Sequence, residues 1–174
     1  MTVHTEVKEQ FTGLILLTGV DRAGISAALF ETLSPFAISI VDVEQIVISD
    51  RLILTVLIAL NPSHQKAIEA DLEQCASAND VDIATLFSST QLTTVKNALV
   101  DVTITSPKMH PTTIATISKL LTAANVNIES VKRTSSDPLS LSFVVSNSTV
   151  DALSKALTAS EYEDGSTVAV KAHA

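Results

Sequence analysis

The sequence predicts an α+β fold built from two copies of one unit, each with the element order βαββαβ. Three observations support this prediction. The chain of 174 residues is long enough for two small domains, its apolar residues alternate between strand and helix spacing, and the pattern repeats after 87 or 88 residues. A βαββαβ unit of this size is the ferredoxin-like split βαβ, an antiparallel four-stranded sheet with both helices on one face.

Each element of the first unit has its own signal. Apolar runs rich in β-branched residues predict four strands, at Phe11–Thr18, Ile38–Ile48, Leu52–Leu60 and Val81–Phe87. The helical spacing of apolar residues after Gly24 predicts a helix that ends near Pro35, and Asn61-Pro62-Ser63 opens a second helix.

The second half reproduces this order. Ile15 and Leu17 correspond to Val102 and Ile104, and Leu29 corresponds to Ile117. We therefore divide the chain into an N-terminal extension (1–10), a first domain (11–88), a Ser/Thr-rich linker (89–96) and a second domain (97–174).

Composition excludes several classes of protein. The net charge of −8 and the aromatic content of 3% argue against nucleic acid as a partner, because phosphates repel acidic surfaces and bases need rings to stack on. Apolar runs such as Leu52–Leu60 are too short to span a membrane, and the start of the chain lacks a secretory signal, so we expect a cytoplasmic protein.

Cys75 is the single cysteine and is expected to be buried. We find no catalytic constellation, no metal-ligand spacing and no cofactor motif.

The second and third strands of the first domain are apolar at almost every position, whereas a sheet with one wet face would alternate. We therefore expect the second domain or another subunit to cover a face or edge of that sheet. We predict a homodimer.

The loop from Thr18 to Gly24 is the candidate ligand site. Gly19 and Gly24 would let the backbone approach a ligand, the helix start at Gly24-Ile25 would bind a carboxylate, and Asp21 would bind an ammonium group. The alternative is that Asp21 only caps the helix and that the glycines only serve the turn.

Two other motifs are incomplete. Gly19 and Gly24 have the spacing of a P-loop, but Ile25 stands in place of its lysine. Asp101-Val102-Thr103-Ile104-Thr105 lacks the second aspartate of the D-x-D-x-T nucleophile motif, so phosphatase chemistry in this chain is not expected.

The residues from Thr18 to Phe30, followed by Val43–Ile48 and Arg51-Leu52, resemble the regulatory region of actinobacterial phosphoserine phosphatases, which consists of two ACT domains. Ala23 stands where that family usually has Pro, and Asp50 stands where it usually has Gly. Neither change obstructs the loop.

This resemblance implies that the chain binds serine or glycine at a subunit interface and regulates serine biosynthesis. It places Gly19, Asp21 and Gly24 on one side of the ligand, and makes Ser39 and Asp42 of a partner's second strand the candidates for the other side. The alternative for Ser39 and Asp42 is that they only face solvent. In the second domain the corresponding loop, 106–111, lacks both the glycines and the aspartate, which suggests a structural role there.

In that family a catalytic domain follows the two ACT domains. We therefore expect a non-enzymatic fragment of a phosphoserine phosphatase. The alternative is a stand-alone regulator with two ACT domains that acts by protein contact, like the glycine-cleavage repressor, and a third possibility is a phosphatase of unrecognised type.

Overall fold

The computed structural model describes residues 8–92, 98–160, 162 and 165–174. The chain divides into two compact units, Met1–Thr94 and Val95–Ala174. Each unit has its own sheet and its own core.

The first unit contains four strands and two α-helices. They are β1 (Lys8–Val20), α1 (Ile25–Leu33), β2 (Ser39–Ile48), β3 (Arg51–Ala59), α2 (Gln65–Asn79) and β4 (Asp82–Leu92), with a 3-10 turn at Pro62–His64 before α2. The sheet is antiparallel with the strand order β2-β3-β1-β4, so β2 and β4 are its edges.

The second unit repeats this arrangement. It contains β5 (Val100–Ser106), α3 (Pro111–Ala123), β6 (Asn127–Ser136), β7 (Leu139–Ser146), α4 (Val150–Thr158) and β8 (Thr167–Ala172), with the strand order β6-β7-β5-β8. Both sheets match the predicted ferredoxin-like fold, which is confirmed.

The core of each unit lies between the sheet and its two helices. In the first unit it consists of aliphatic side chains that alternate along the central strands and recur along the helices: Ile15, Leu17, Leu52, Leu54, Val56, Ile58, Leu29, Leu33, Ile68 and Leu72. Their corresponding residues, including Val102, Ile104, Ile117, Leu121 and Phe143, fill the second core. Burying one such side chain contributes roughly 1.5 to 3 kcal/mol, which explains how a chain with few aromatic residues forms two cores.

Some element boundaries differ from the sequence prediction. β1 begins at Lys8 and β4 continues to Leu92, so these strands include residues 8–10 and 89–92 that the sequence assigned to an extension and a linker. β4 pairs with β1 along its whole length, from Asp82 opposite Thr18 to Leu92 opposite Lys8, which is why both strands extend further than their apolar runs. Helix α1 ends at Leu33, before Pro35, and Phe36 packs against the core from the following loop.

The helix-free faces of the two sheets differ in polarity. In the first unit this face carries exposed apolar side chains, among them Leu14, Leu16, Ile46 and Leu86. In the second unit the same face carries mostly hydroxyl and charged side chains, including Thr103, Thr105, Ser142, Lys132 and Lys171. Only the first unit therefore presents an apolar sheet face, and apolar surface favours contact with another surface.

Candidate functional site

The loop from Asp21 to Gly24 joins β1 to α1, and all four of its residues are exposed. The backbone N–H of Asp21 donates to the carbonyl oxygen of Asp50 at 2.8 Å, which ties the loop to the turn between β2 and β3. The guanidinium of Arg22 donates to the carbonyl oxygen of Asn79 at the end of α2. These two contacts hold the loop in place while the Asp21 carboxylate faces solvent.

Helix α1 begins without a side-chain cap. Its N-cap residue is Gly24, whose φ of 93° lies in the left-handed region, and no side chain accepts a hydrogen bond from the first turn. A Cβ added at Gly24 would meet nothing within 4 Å. The alternative in which Asp21 caps this helix is therefore wrong. The N–H groups of the first turn are left available to an anion.

The other loop residues have structural roles. Ile25 is 4% exposed and belongs to the core, so only its backbone is available to a ligand. Gly19 lies in the last part of β1, and a Cβ there would lie 2.7 Å from Cγ1 of Val81. The hydrogen in place of a side chain at Gly19 therefore makes room for Val81 rather than for a ligand.

Ser39 and Asp42 lie far from the loop within one chain. Ser39 pairs with Ala59, which pairs with Thr12, whereas the loop follows Val20 at the other end of β1. Eight residues of strand separate the two ends, roughly 26 Å at about 3.3 Å per residue. Ser39 and Asp42 are both exposed, as the solvent-facing alternative expects, and a single protomer does not bring them to Asp21.

A polar pair that the sequence analysis missed lies beside the helix start. The hydroxyl of Ser26, in the first turn of α1, donates to Oε1 of Gln45 on β2 at 2.8 Å. Strand register places Gln45 on the helix side of the sheet with Ile40, Val43 and Val47, so it is the one polar residue of that row. The position of Gln45 within the apolar run of β2 is a sequence signal that could have identified this residue.

The helix start in the second unit is built differently. Pro111 is the first residue of α3 and has no N–H, and Nδ1 of His110 accepts a hydrogen bond from the backbone N–H of Thr112 at 3.4 Å. Ser106 is buried and donates to the carbonyl oxygen of Lys108 at 3.0 Å. This helix start satisfies its own donors, so a ligand carboxylate finds fewer free N–H groups there.

A groove of about 720 Å³ lies near the loop but does not include Asp21 or Gly24. It lies between the end of β1, helix α2 and the start of β4. Its lining includes Gly19, the guanidinium of Arg51 and four carboxylates, those of Glu69, Glu73, Asp80 and Asp82. Because the four carboxylates outnumber the single guanidinium, the groove disfavours the carboxylate of an amino acid.

Among the described residues, no group of three or more His, Cys, Asp or Glu side chains is arranged to hold a metal ion. Within the same ranges, no helix combines the length and the apolarity needed to cross a lipid bilayer. Cys75 is buried, as expected.

Residues 12–85 match the sequence model of the ACT domain family. The phosphoserine phosphatase of Streptomyces coelicolor is 39% identical over 61 residues, which is 35% of this chain and 14% of the relative. A phosphoserine phosphatase of Mycobacterium tuberculosis is 36% identical over 73 residues, 41% of this chain and 18% of the relative. This chain therefore matches less than a fifth of the length of either relative.

Similar solved structures include one named as a glycine cleavage system transcriptional repressor, with a TM-score of 0.74 and 14% identity over 94% of this chain and 99% of that one. A protein of unknown function from Galdieria sulphuraria has a TM-score of 0.73 and 16% identity over 96% of this chain and 100% of its own. At such low identity these two likenesses show the fold, which extends through both repeats. The family match is confined to residues 12–85, in the first repeat, and the two likenesses show that the second repeat has the same ferredoxin-like fold.

Proposed function

We propose that this chain is a regulatory module that binds a small free amino acid, serine or glycine, and works as a cytoplasmic homodimer. Support comes from the ACT-domain match over residues 12–85. The proposed role is to sense an amino acid rather than to transform it.

The observation that carries the proposal is the uncapped start of α1 beside the Asp21 carboxylate. A free amino acid offers a carboxylate and an ammonium group a few ångströms apart. In our proposal the carboxylate accepts hydrogen bonds from the first-turn N–H groups, and the ammonium pairs with Asp21. Lys108 stands in the corresponding loop of the second repeat, where an ammonium would be repelled.

The second half of the site comes from another copy of the chain. Along the sheet, Ser39 lies roughly 26 Å and Asp42 roughly 20 Å from the loop, at about 3.3 Å per residue, so in our proposal a partner supplies them. Pairing β2 with β2 of a second copy in the antiparallel direction would place the start of the partner's strand beside the end of this one. The β2–β3 turn follows Ile48 at that end, and Asp50 in this turn accepts a hydrogen bond from the backbone N–H of Asp21. The start of the partner's strand would therefore run toward Asp21.

We propose a phosphoserine phosphatase as the parent protein, and thus a role in serine biosynthesis, on the strength of the two relatives of 36% and 39% identity. The second candidate is a stand-alone regulator with two ACT domains, which the fold likeness over 94% of the chain favours. The reading frame distinguishes them. Continuation into a D-x-D-x-T motif would support the phosphatase, and a stop after Ala174 would support the stand-alone regulator.

Titration calorimetry with serine and with glycine tests amino-acid binding. Asp21→Asn removes the charge and leaves the backbone bond of Asp21 to Asp50 intact. Because Asp21 is exposed and its ion pair is screened, we expect affinity to fall about 2- to 5-fold. Lys108→Ala, the matched control in the second repeat, should leave the affinity unchanged.

Two results would contradict this proposal. If Lys108→Ala weakens binding and Asp21→Asn does not, the wrong repeat has been chosen. If neither amino acid binds at millimolar concentration, the chain is not a sensor of serine or glycine.

A further inference from the structure

The helix side of strand β2 carries one residue that the fold does not require to be polar. Gln45 lies in a row with Val43 and Val47, and its partner across the strands is Leu54, which is fully buried. A valine or isoleucine would suit this position at least as well, and a hydrogen bond between two side chains at the surface contributes little to stability. The amide of Gln45 is therefore a candidate for a role in binding rather than in folding.

The amide of Gln45 and the hydroxyl of Ser26 together match a hydroxyl group. Oε1 of Gln45 accepts a hydrogen bond from Oγ of Ser26, with 2.8 Å between the two oxygens. Nε2 of Gln45 carries two N–H groups, and among the described residues none accepts a hydrogen bond from them. Oγ of Ser26 uses its single hydrogen and keeps lone pairs that can accept another. The pair thus offers N–H donors beside an oxygen acceptor, and a hydroxyl group needs one of each.

This pair lies beside the N–H groups that would hold the ligand carboxylate. Ser26 is the second residue of α1, so its backbone N–H is one of the donors of the uncapped first turn. Side chains on a helix lean toward its N-terminus, which brings the Ser26 hydroxyl toward the end at which these N–H groups point. In a β-hydroxy amino acid the hydroxyl and the carboxylate are attached to neighbouring carbon atoms. A ligand whose carboxylate is bound to the first turn can therefore reach the pair with a hydroxyl on Cβ.

The second repeat has different residues at both positions. By the offset of 88 residues, Ser26 corresponds to Ile114, which packs against the second core. Gln45 corresponds to Arg133, which lies opposite Leu141. Because Ile114 has no hydrogen-bonding group in its side chain, the equivalent pair does not form there. The polar pair thus occurs in the repeat whose helix start is uncapped.

We propose that Ser26 and Gln45 bind the side chain of the ligand and make the first repeat selective for an amino acid with a hydroxyl on Cβ. This inference rests on the proposed amino-acid site at the start of α1. The ligand hydroxyl donates to Oγ of Ser26 and accepts from Nε2 of Gln45, while the first turn binds the carboxylate and Asp21 binds the ammonium. Serine makes both side-chain contacts, whereas glycine and alanine have no group that can make them.

Serine and alanine differ by a single oxygen atom, so the ratio of their affinities measures this contact. In titration calorimetry of the full chain, we expect serine to bind about 5- to 10-fold more tightly than alanine. Gln45→Met keeps the length of the side chain and removes the amide. It should lower the serine-to-alanine ratio to about 2-fold or less and leave the affinity for alanine unchanged.

Three further variants control for the chemistry and the position. Ser26→Ala should lower the ratio in the same direction, and Ser26→Thr, which keeps the hydroxyl, should preserve it. Arg133→Met is the matched change in the second repeat and should leave the ratio unchanged. Because alanine binding shows that a variant is folded, a loss confined to serine is not a folding effect.

The outcomes separate this inference from the proposed function. Equal affinities for serine and alanine in the unmodified chain would overturn the side-chain contact and leave the amino-acid sensor standing. A Gln45→Met variant that weakens serine and alanine equally would also overturn it, because Gln45 would then only support the shape of the site. If serine, alanine and glycine all fail to bind at millimolar concentration, the sensor and its selectivity are both wrong.

Discussion

Replacing Gly19 with Ala tests whether this glycine serves packing or a ligand. The new Cβ would lie 2.7 Å from Cγ1 and 3.3 Å from Cβ of Val81, whereas ordinary contacts begin at 3.4 Å. Val81 must therefore retreat by about 0.7 Å against the core that it packs on. Overpacking of this kind costs about 1 to 3 kcal/mol, so we expect the free energy of unfolding of the first repeat to fall by about 2 kcal/mol.

Two probes separate the repeats in a urea titration. Tyr162 is the single tyrosine and the chain contains no tryptophan, so tyrosine fluorescence reports only the second repeat. Circular dichroism reports both repeats. Gly19→Ala should move the first repeat's transition to lower urea and leave the Tyr162 transition unchanged.

A double-mutant cycle identifies the cause. Val81→Ala removes the atoms that clash, so the double variant should lose at least about 1 kcal/mol less stability than the sum of the single variants. Gly24→Ala is the control. It meets no atoms within 4 Å but has a φ of +93°, so it should cost about 1 kcal/mol by backbone strain and show no coupling to Val81. If Gly19→Ala leaves stability intact and weakens serine binding, the packing explanation is refuted.

Two further predictions concern titration in the second repeat. Hydrogen bonds from the Ser146 hydroxyl and, secondarily, from Asn127 hold the pKa of Glu129 below its ordinary value of 4.5. The stability that this carboxylate contributes is therefore present above pH 4.5 and is lost as the pH falls through the folded-state pKa. Ser146→Ala should bring the pKa of Glu129 back toward 4.5 in an NMR titration, and an unchanged pKa would exclude this cause. Burial raises the pKa of Tyr162 above 10.0. An ultraviolet titration of the folded chain should therefore show a midpoint above that of the urea-unfolded chain. The stability linked to the protonated phenol is lost as the pH rises through the folded-state pKa. Coincident midpoints would show that the ring is not desolvated.

The repeat, the strand order and the cores follow from local patterns that the sequence displays. Apolar alternation places Ile15 and Leu17 in the core, and the offset of 87 or 88 residues transfers the assignment to Val102 and Ile104. The strand ends were harder to predict. β1 and β4 support each other through long-range pairing, which leaves no apolar signal at Ser88, Ser89 or Thr90.

The candidate site was only partly predictable, since its details depend on contacts between distant residues. The role of Gly19 depends on Val81, and the pairing of Ser26 depends on Gln45, each from another element. The absence of an Asp21 cap depends on the helix starting one residue after Gly24. Residue type and spacing do not reveal such contacts.

The exposed edge of β2 also affects how the protein behaves when its copies do not pair. A strand of ten residues with apolar side chains on both faces can add any extended segment by backbone hydrogen bonds, including β2 of many further copies. A change that separates the two copies but leaves this edge apolar should therefore give a monomer that adds further strands and forms fibrillar aggregates. Val43→Lys or Val47→Lys would place a charge on this edge. We therefore expect either variant to be more soluble during purification and to form less dimer.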